Sequence, residues 1–191
     1  MTVRVYTARQ RNYPTICYPG LVGTHRTKQG KVMRRRPSAR LLVADQDNRV
    51  LLFRFVHTGG ALADQDYWAT PGGALENVET FAEAGRRELF EETGILVEDV
   101  GAQVAEREFL LQLPDGEQVM AEERYFLVRA ANPILSREHW TSLEQEVMAD
   151  HRWWSIHELA STDEVIFPER LVAMLASLGL EDQEKAASAG S

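Results

Sequence analysis

The sequence predicts a mixed α/β domain in which helices cover both faces of a central β-sheet. Three observations carry that reading. Strand-length apolar runs at 39–44, 50–56 and 119–129 are bounded by turn residues. One helical stretch, 80–93, lies among them with its own start and stop chemistry. A last apolar-periodic segment, 168–178, returns to helix after the strands. A sheet flanked by separate helices buries both of its faces most economically when helices pack on each side.

The bulk properties agree. At 191 residues the chain suits one domain with an extension, and it is long enough to bury a core. With 44% hydrophobic and 26% charged residues it reads as globular rather than disordered. The net charge of −8 argues against nucleic-acid binding through overall charge, so no stable nucleic-acid partner is expected. A small polyanionic substrate stays compatible, because a bound divalent cation reverses the local field. Cys17 is the only cysteine, which excludes an internal disulfide and a cysteine-cluster metal site. The first ten residues lack the apolar core of a signal peptide, and no run approaches the roughly 20 apolar residues that span a bilayer. A soluble, cytoplasmic protein is the expectation.

Taken in order, residues 1–36 form an extension broken by Pro14, Pro19, Gly20, Gly23 and Gly30. Its Tyr6, Tyr13, Ile16, Tyr18 and Leu21 need cover, and a homodimer in which they reach the interface is one way to supply it. The basic cluster Lys28, Lys31, Arg34, Arg35, Arg36 and Arg40 reads either as a solvated strand edge or as phosphate contact. Residues 39–44 and 50–56 make a hairpin, joined by Asp45-Gln46-Asp47-Asn48. A polar loop follows, then a short extended piece at 67–70, then the sharp turn Pro71-Gly72-Gly73. In the helix, Thr80 and Glu83 form a capping box, and Gly94 stands where a helix ends left-handed. Strands are expected at 97–104, 107–113 and 119–129, the last two joined through Pro114-Asp115-Gly116-Glu117. Another strand at 152–155, a helical turn at 156–160 and the helix 168–178 complete a domain spanning 37–180. Residues 181–191 read as a disordered tail.

Chemistry concentrates on the central helix. Glu88 lies three residues from Glu91 and four from Glu92, so the three carboxylates share one face despite their repulsion. A solvated acidic face is the bland explanation. The functional one is a hard-cation site, because Mg²⁺ takes oxygen ligands, keeps several waters and is shared with substrate phosphates. Such an ion neutralises a diphosphate and activates water. Arg87 can orient a carboxylate, and Glu79 can accept from Arg87 or from the loop backbone.

Gly73, Glu79, Arg87, Glu88, Leu89, Glu91, Glu92, Gly94 and Ile95 match, without gap or substitution, the pattern Gly-x5-Glu-x7-Arg-Glu-U-x-Glu-Glu-x-Gly-U, where U is bulky and apolar. The stretch thereby resembles the Nudix hydrolases. The resemblance extends through the lead-in Trp68-Ala69-Thr70-Pro71-Gly72-Gly73, the first hairpin and the closing Arg152-Trp153-Trp154-Ser155, and covers roughly 36–178. It implies a Nudix-like α/β/α sandwich with a mixed central sheet. It also implies a metal-dependent pyrophosphohydrolase for a nucleoside diphosphate linked to another moiety, or for a nucleoside triphosphate, using Mg²⁺ or Mn²⁺. By motif position, Glu88, Glu91 and Glu92 are the implied metal carboxylates, with Glu88 as an alternative general base. Arg87 orients a carboxylate, Glu79 braces the loop–helix junction, and the Gly72 carbonyl is a further ligand.

Outside the motif, Glu144, Glu146 and Asp150 are candidates for a base or added ligand, Glu146 foremost; Glu122 and Glu123 are weaker, with surface charge as the commoner explanation. Trp68 reads as a base-stacking ring or a buried anchor. Arg40 and Arg54 are candidates for substrate phosphate or simply face solvent. Two other functional classes compete. A catalytically silent nucleotide-binding module would be expected to have lost carboxylates from the motif, and none is lost here. Isomerase chemistry of the isopentenyl-diphosphate type needs a catalytic cysteine, and Cys17 lies in the extension.

Overall fold

A computed structural model of the chain describes residues 33–131, 135–136, 138, 140 and 142–182, with the side chains of 142–144 left aside. The apolar part of the extension, and with it the expected dimer contact, lies outside the described residues.

Strand β1 (Arg35–Ala44) organises the domain because its alternate residues feed two cores. Ala39, Leu41 and Val43 pack with Ala84 and Leu89 of helix α1 (Phe81–Thr93). Leu42 and Ala44 pack with Leu159 of α3 (Ile156–Ser161) and with Leu171 and Leu175 of α4 (Leu171–Ser177). The sheet is therefore buried on both faces, which is the sandwich expected.

The seven-stranded sheet runs β4-β5-β1-β2-β3-β7, with β6 added to β2. β1 pairs parallel with β5 (Gln118–Arg129) over its whole length, and β5 pairs antiparallel with β4 (Gln103–Gln112). β2 (Val50–Val56) carries β3 (Asp66–Ala69) and β6 (Met148–Trp154), both antiparallel; β7 (Ile166–Phe167) adds parallel to β3. A short helix α2 (Ser142–Val147) leads into β6. β1 meets β2 only at Ala44↔Val50. Along the rest of β1, the chain after β3 pairs instead: Leu41 N donates to Pro71 O, Ala39 N to Gly73 O and Leu75 N to Pro37 O. That substitution sets the Gly72–Gly73 turn beside Ala39 and Arg40.

Most elements stand where expected. The Asp45 carboxylate closes the first hairpin by accepting from the backbone N–H of Asp47 and of Arg49, and Asn48 takes φ 61°. The expected strand at 97–104 is replaced by irregular chain up to Gln103, where one long strand absorbs the segment at 107–113. Val100 is buried there by packing on the α1 core rather than by pairing, and an apolar residue reads the same in either case. The last helix starts at Leu171, not at Pro168, whose carbonyl accepts from Leu171 N. The chain is still docked at the start of the expected tail: Asp182 accepts from the N–H groups of Ile156 and His157, capping α3, and Glu181 O accepts from Asn48. β1 begins two residues before the expected domain boundary, with Arg35 opposite Met120. No helix among the described residues is long and apolar enough to cross a membrane.

Candidate active site

The site begins with two glycines, the first closed to any side chain by backbone and the second leaving room for a carboxylate. At Gly72, φ is 124° and a Cβ would lie 2.1 Å from Ala39 O. At Gly73 a Cβ would lie 2.2 Å from Glu88 Oε1, so the missing side chain is the space that the Glu88 carboxylate fills. The turn is tied to α1 directly: Gly72 N donates to Glu92 Oε2 at 2.7 Å.

Helix α1 is fixed at both ends. Thr80 Oγ1 accepts from Glu83 N, Glu83 Oε2 accepts from Thr80 N, and Gly94 closes the helix at φ 75°. Leu89 and Ala84 hold its apolar side in the core. Glu88 and Glu92 are thereby carried inward, 8% and 5% exposed, four residues apart. The cost of burying like charges is met by Arg87. Its Nε and Nη2 donate to the two Glu79 oxygens at 2.8 and 3.0 Å. Nη1 donates to Glu88 at 2.9 Å and to Glu91 at 3.0 Å, and Nη2 also reaches Ala74 O at 3.0 Å. All five guanidinium hydrogens are used. The Glu79 hydrogen bond, first among several, raises the Arg87 pKa further.

Burial pushes the Glu88 carboxyl above its usual range, with Arg87 working against that rise. A cation at this point would relieve the burial. Among the described residues, however, no group of three or more His, Cys, Asp and Glu side chains is already gathered to hold a metal. Glu88 and Glu91 turn to Arg87, and Glu92 turns to Gly72 N. The convergence expected from spacing alone is therefore incomplete, because each carboxylate has an N–H donor of its own. The donor set still fits a hard cation: carboxylate oxygens and a carbonyl on one helix–turn junction, suited to Mg²⁺, which needs only one or two protein carboxylates beside water and phosphate.

Behind the turn lies a second charged cluster. Arg40 Nη1 donates to Gly72 O at 2.8 Å and its Nε to Glu123 Oε1 at 2.9 Å. Glu123, 2% exposed, also accepts from Arg107 Nε at 2.7 Å and from the Tyr125 hydroxyl at 2.6 Å. Burial opposes ionisation of Glu123, yet the two guanidiniums and the hydroxyl outweigh it and hold the carboxyl down at about 2. A carboxylate with a depressed folded pKa contributes stability above its unfolded value, near 4.5, and loses it as pH falls through the folded value. Urea unfolding followed from pH 5 towards 2 is therefore expected to show a steeper loss for the native chain than for Glu123→Gln.

The other predicted residues are placed as follows. Arg40 is committed to Glu123 and Gly72 rather than open to substrate. Arg54 pairs through both oxygens with Asp66 across β2 and β3. Trp68 is 6% exposed and packs edge-on to Trp154 with centroids 5.2 Å apart, which makes it an anchor. Glu146 is exposed on a cavity of about 290 Å³ whose lining, including His57, Gly60, Pro114 and Val147, contains none of the α1 carboxylates. Asp150 accepts from His151 N, Glu122 pairs with Arg35 and Arg124, and the Glu144 side chain lies outside the described residues.

In the basic cluster, Arg34 pairs with Glu117, and Arg35 with Glu108 and Glu122. Arg36 differs. It is half-buried, its Nη1 donates to Ser38 Oγ at 2.9 Å, and among the described residues it makes no carboxylate pair. Burial, then the neighbouring Arg40, lowers its pKa, while Glu123 and Glu88 pull the other way. Sequence reasoning missed Arg107, Tyr125 and Trp140, whose Nε1 donates to Glu92 O at 2.8 Å. The one signal for Tyr125 was its place two residues after Glu123, on the same face of β5; Arg107, on β4, gave none.

A glutamate-bearing helix, an arginine that gathers its carboxylates and a glycine turn bonded to it thus stand together in the part of the chain that known proteins also match. The NUDIX domain profile matches residues 34–175, and the chain belongs to the NUDIX family, a hydrolase acting on phosphoric anhydride bonds. The family generally uses divalent metals. The chain is 33% identical over 150 residues to an RNA pyrophosphohydrolase of Halorhodospira halophila, covering 72% of this chain and 75% of that one. Among solved structures it resembles a MutT protein of Methanosarcina mazei, at 22% identity and TM-score 0.53, covering 77% of this chain and 94% of that one. It also resembles the NUDIX domain of Shewanella oneidensis NrtR complexed with ADP ribose, at 17% identity and TM-score 0.53, covering 79% and 91%.

Proposed function

We propose that the protein is a divalent-metal-dependent pyrophosphohydrolase that cleaves the diphosphate linkage of a nucleotide-type substrate. The carrying observation is the Arg87 cluster, in which one guanidinium sets Glu79, Glu88 and Glu91 beside the Gly72–Glu92 bond. Glu88, Glu91, Glu92 and the Gly72 carbonyl would hold Mg²⁺, or Mn²⁺ in its place. That ion would neutralise the diphosphate and make water a stronger acid. Alternatively to a ligand role, Glu88, whose basicity burial raises, is suited to accept the proton of the attacking water. Arg87 keeps it aligned. Arg36, which makes no carboxylate pair among the described residues, supplies a donor for a substrate phosphate.

The relatives suggest RNA and ADP-ribose for the substrate panel, and nucleoside diphosphate derivatives and nucleoside triphosphates, implied by the motif, complete it. The test is incubation of each with Mg²⁺, Mn²⁺ or a chelator, reading phosphorylated products. At least one is expected to be cleaved only with the divalent ion. Saturable binding of a panel member without product would overturn the reading in favour of a silent nucleotide-binding module.

Arg36→Gln provides a narrower check. Losing a charge-assisted bond of about 1.5 kcal/mol should raise KM about tenfold with kcat little changed. Thermal stability should fall little, because among the described residues the half-buried guanidinium pairs with no carboxylate. An unchanged KM in steady-state kinetics would remove Arg36 from the site.

A further inference from the structure

Glu123 is a buried carboxylate that the proposed reaction does not use. Its oxygens are taken by Arg40, Arg107 and Tyr125, and Arg40 spends a second donor on the Gly72 carbonyl. Gly72 in turn gives its N–H to Glu92. An unbroken series of contacts thus runs from β5 through β1 and the glycine turn to α1. Glu92 is also among the acids whose charge acts on Arg40. With Glu123 in place the guanidinium points to Glu123 and to Gly72. Without it, Glu92 is left as a carboxylate for Arg40 to turn to, and a guanidinium on Glu92 competes directly with a divalent ion.

We infer that Glu123 is a positioning residue for the ion site: it holds Arg40 on the Gly72 carbonyl, so that Glu92 stays bonded to the turn. The inference rests on the ion site proposed above. A carbonyl oxygen has two lone pairs, so the Arg40 bond leaves Gly72 a second one for the ion. Arg40 is in this account a brace for the turn rather than a substrate contact.

The experiment titrates Mn²⁺ into the full-length chain and its variants and follows binding by electron paramagnetic resonance, without substrate. Glu123→Gln is expected to weaken Mn²⁺ binding about tenfold, the low end of what lost outer-shell partners cost. In an Arg40→Met background the same change should have no further effect, since Glu123 acts through Arg40. Tyr125→Phe, which removes a different bond to Glu123, should lower Tm while leaving Mn²⁺ affinity unchanged. Glu123→Asp, which keeps the charge but withdraws it from Arg40, should also weaken binding and serves if Glu123→Gln fails to fold. Native-like Mn²⁺ affinity in the Glu123 variants, or an equal loss with and without Arg40, overturns the inference alone. A native chain that binds no Mn²⁺ overturns the proposed ion site and this inference together.

Discussion

Glu92→Gln is expected to lower kcat/KM about 10³-fold, the equivalent of about 4 kcal/mol of lost stabilisation of the charge that develops in the transition state. The amide keeps the size of the side chain, and its oxygen can still accept from Gly72 N. What it loses is the negative charge that a cation needs from a buried oxygen. Stability should move little. Glu88 and Glu92 repel across one helical turn, and removing that repulsion is worth no more than about 0.5 kcal/mol in favour of the metal-free variant. Steady-state kinetics at saturating Mg²⁺ and a thermal melt on the same preparation separate the two effects. Activity within a few-fold of native in a well-folded variant would contradict the role given to Glu92.

Arg87→Met should damage both fold and function. It leaves Glu79, Glu88 and Glu91 without the guanidinium that gathers them and Ala74 O without a donor. Breaking a fully buried pair costs about 3–5 kcal/mol; here Glu79 and Glu91 are 23% and 39% exposed and partly screened, so about 2 kcal/mol is expected. Urea denaturation measures it. Turnover should fall by about 10- to 10²-fold, the range that lost outer-shell partners typically cost. Arg87→Lys should recover part of the stability and little of the turnover, because an ammonium restores the charge but not the five-donor fork. Full recovery with lysine would mean that Arg87 acts through charge alone.

The helix and its carboxylate face were legible in the sequence for a physical reason. Capping residues, a left-handed glycine and carboxylates at three- and four-residue spacing are local features, each fixed by neighbours within one or two turns. The Asp45 turn was legible on the same ground, but the β1–β2 pairing expected beyond it stops at Ala44 and Val50. What failed was long-range. Glu123 reads as a surface charge until β5 is seen to lie between β1 and β4, where Arg40 and Arg107 reach it from either side. Trp68 sits just before the turn in sequence and Arg54 lies opposite it on β2, yet sheet packing sends one into the core and the other onto Asp66. The irregular run before Gln103 kept the apolar residues of a strand, so composition could not tell packing from pairing. Cross-sheet partners of charged residues are set by topology, and periodicity carries no information about them.

The central claim is that the α1 carboxylates support metal-dependent cleavage of a diphosphate bond. Product analysis of the native chain and Glu92→Gln against the same substrate panel, with Mg²⁺ and with a chelator, tests it most directly. The account predicts phosphorylated products from the native chain with Mg²⁺, and loss of nearly all of them on chelation or in Glu92→Gln. Cleavage that persists undiminished under chelation, or at the native rate in Glu92→Gln, would contradict it.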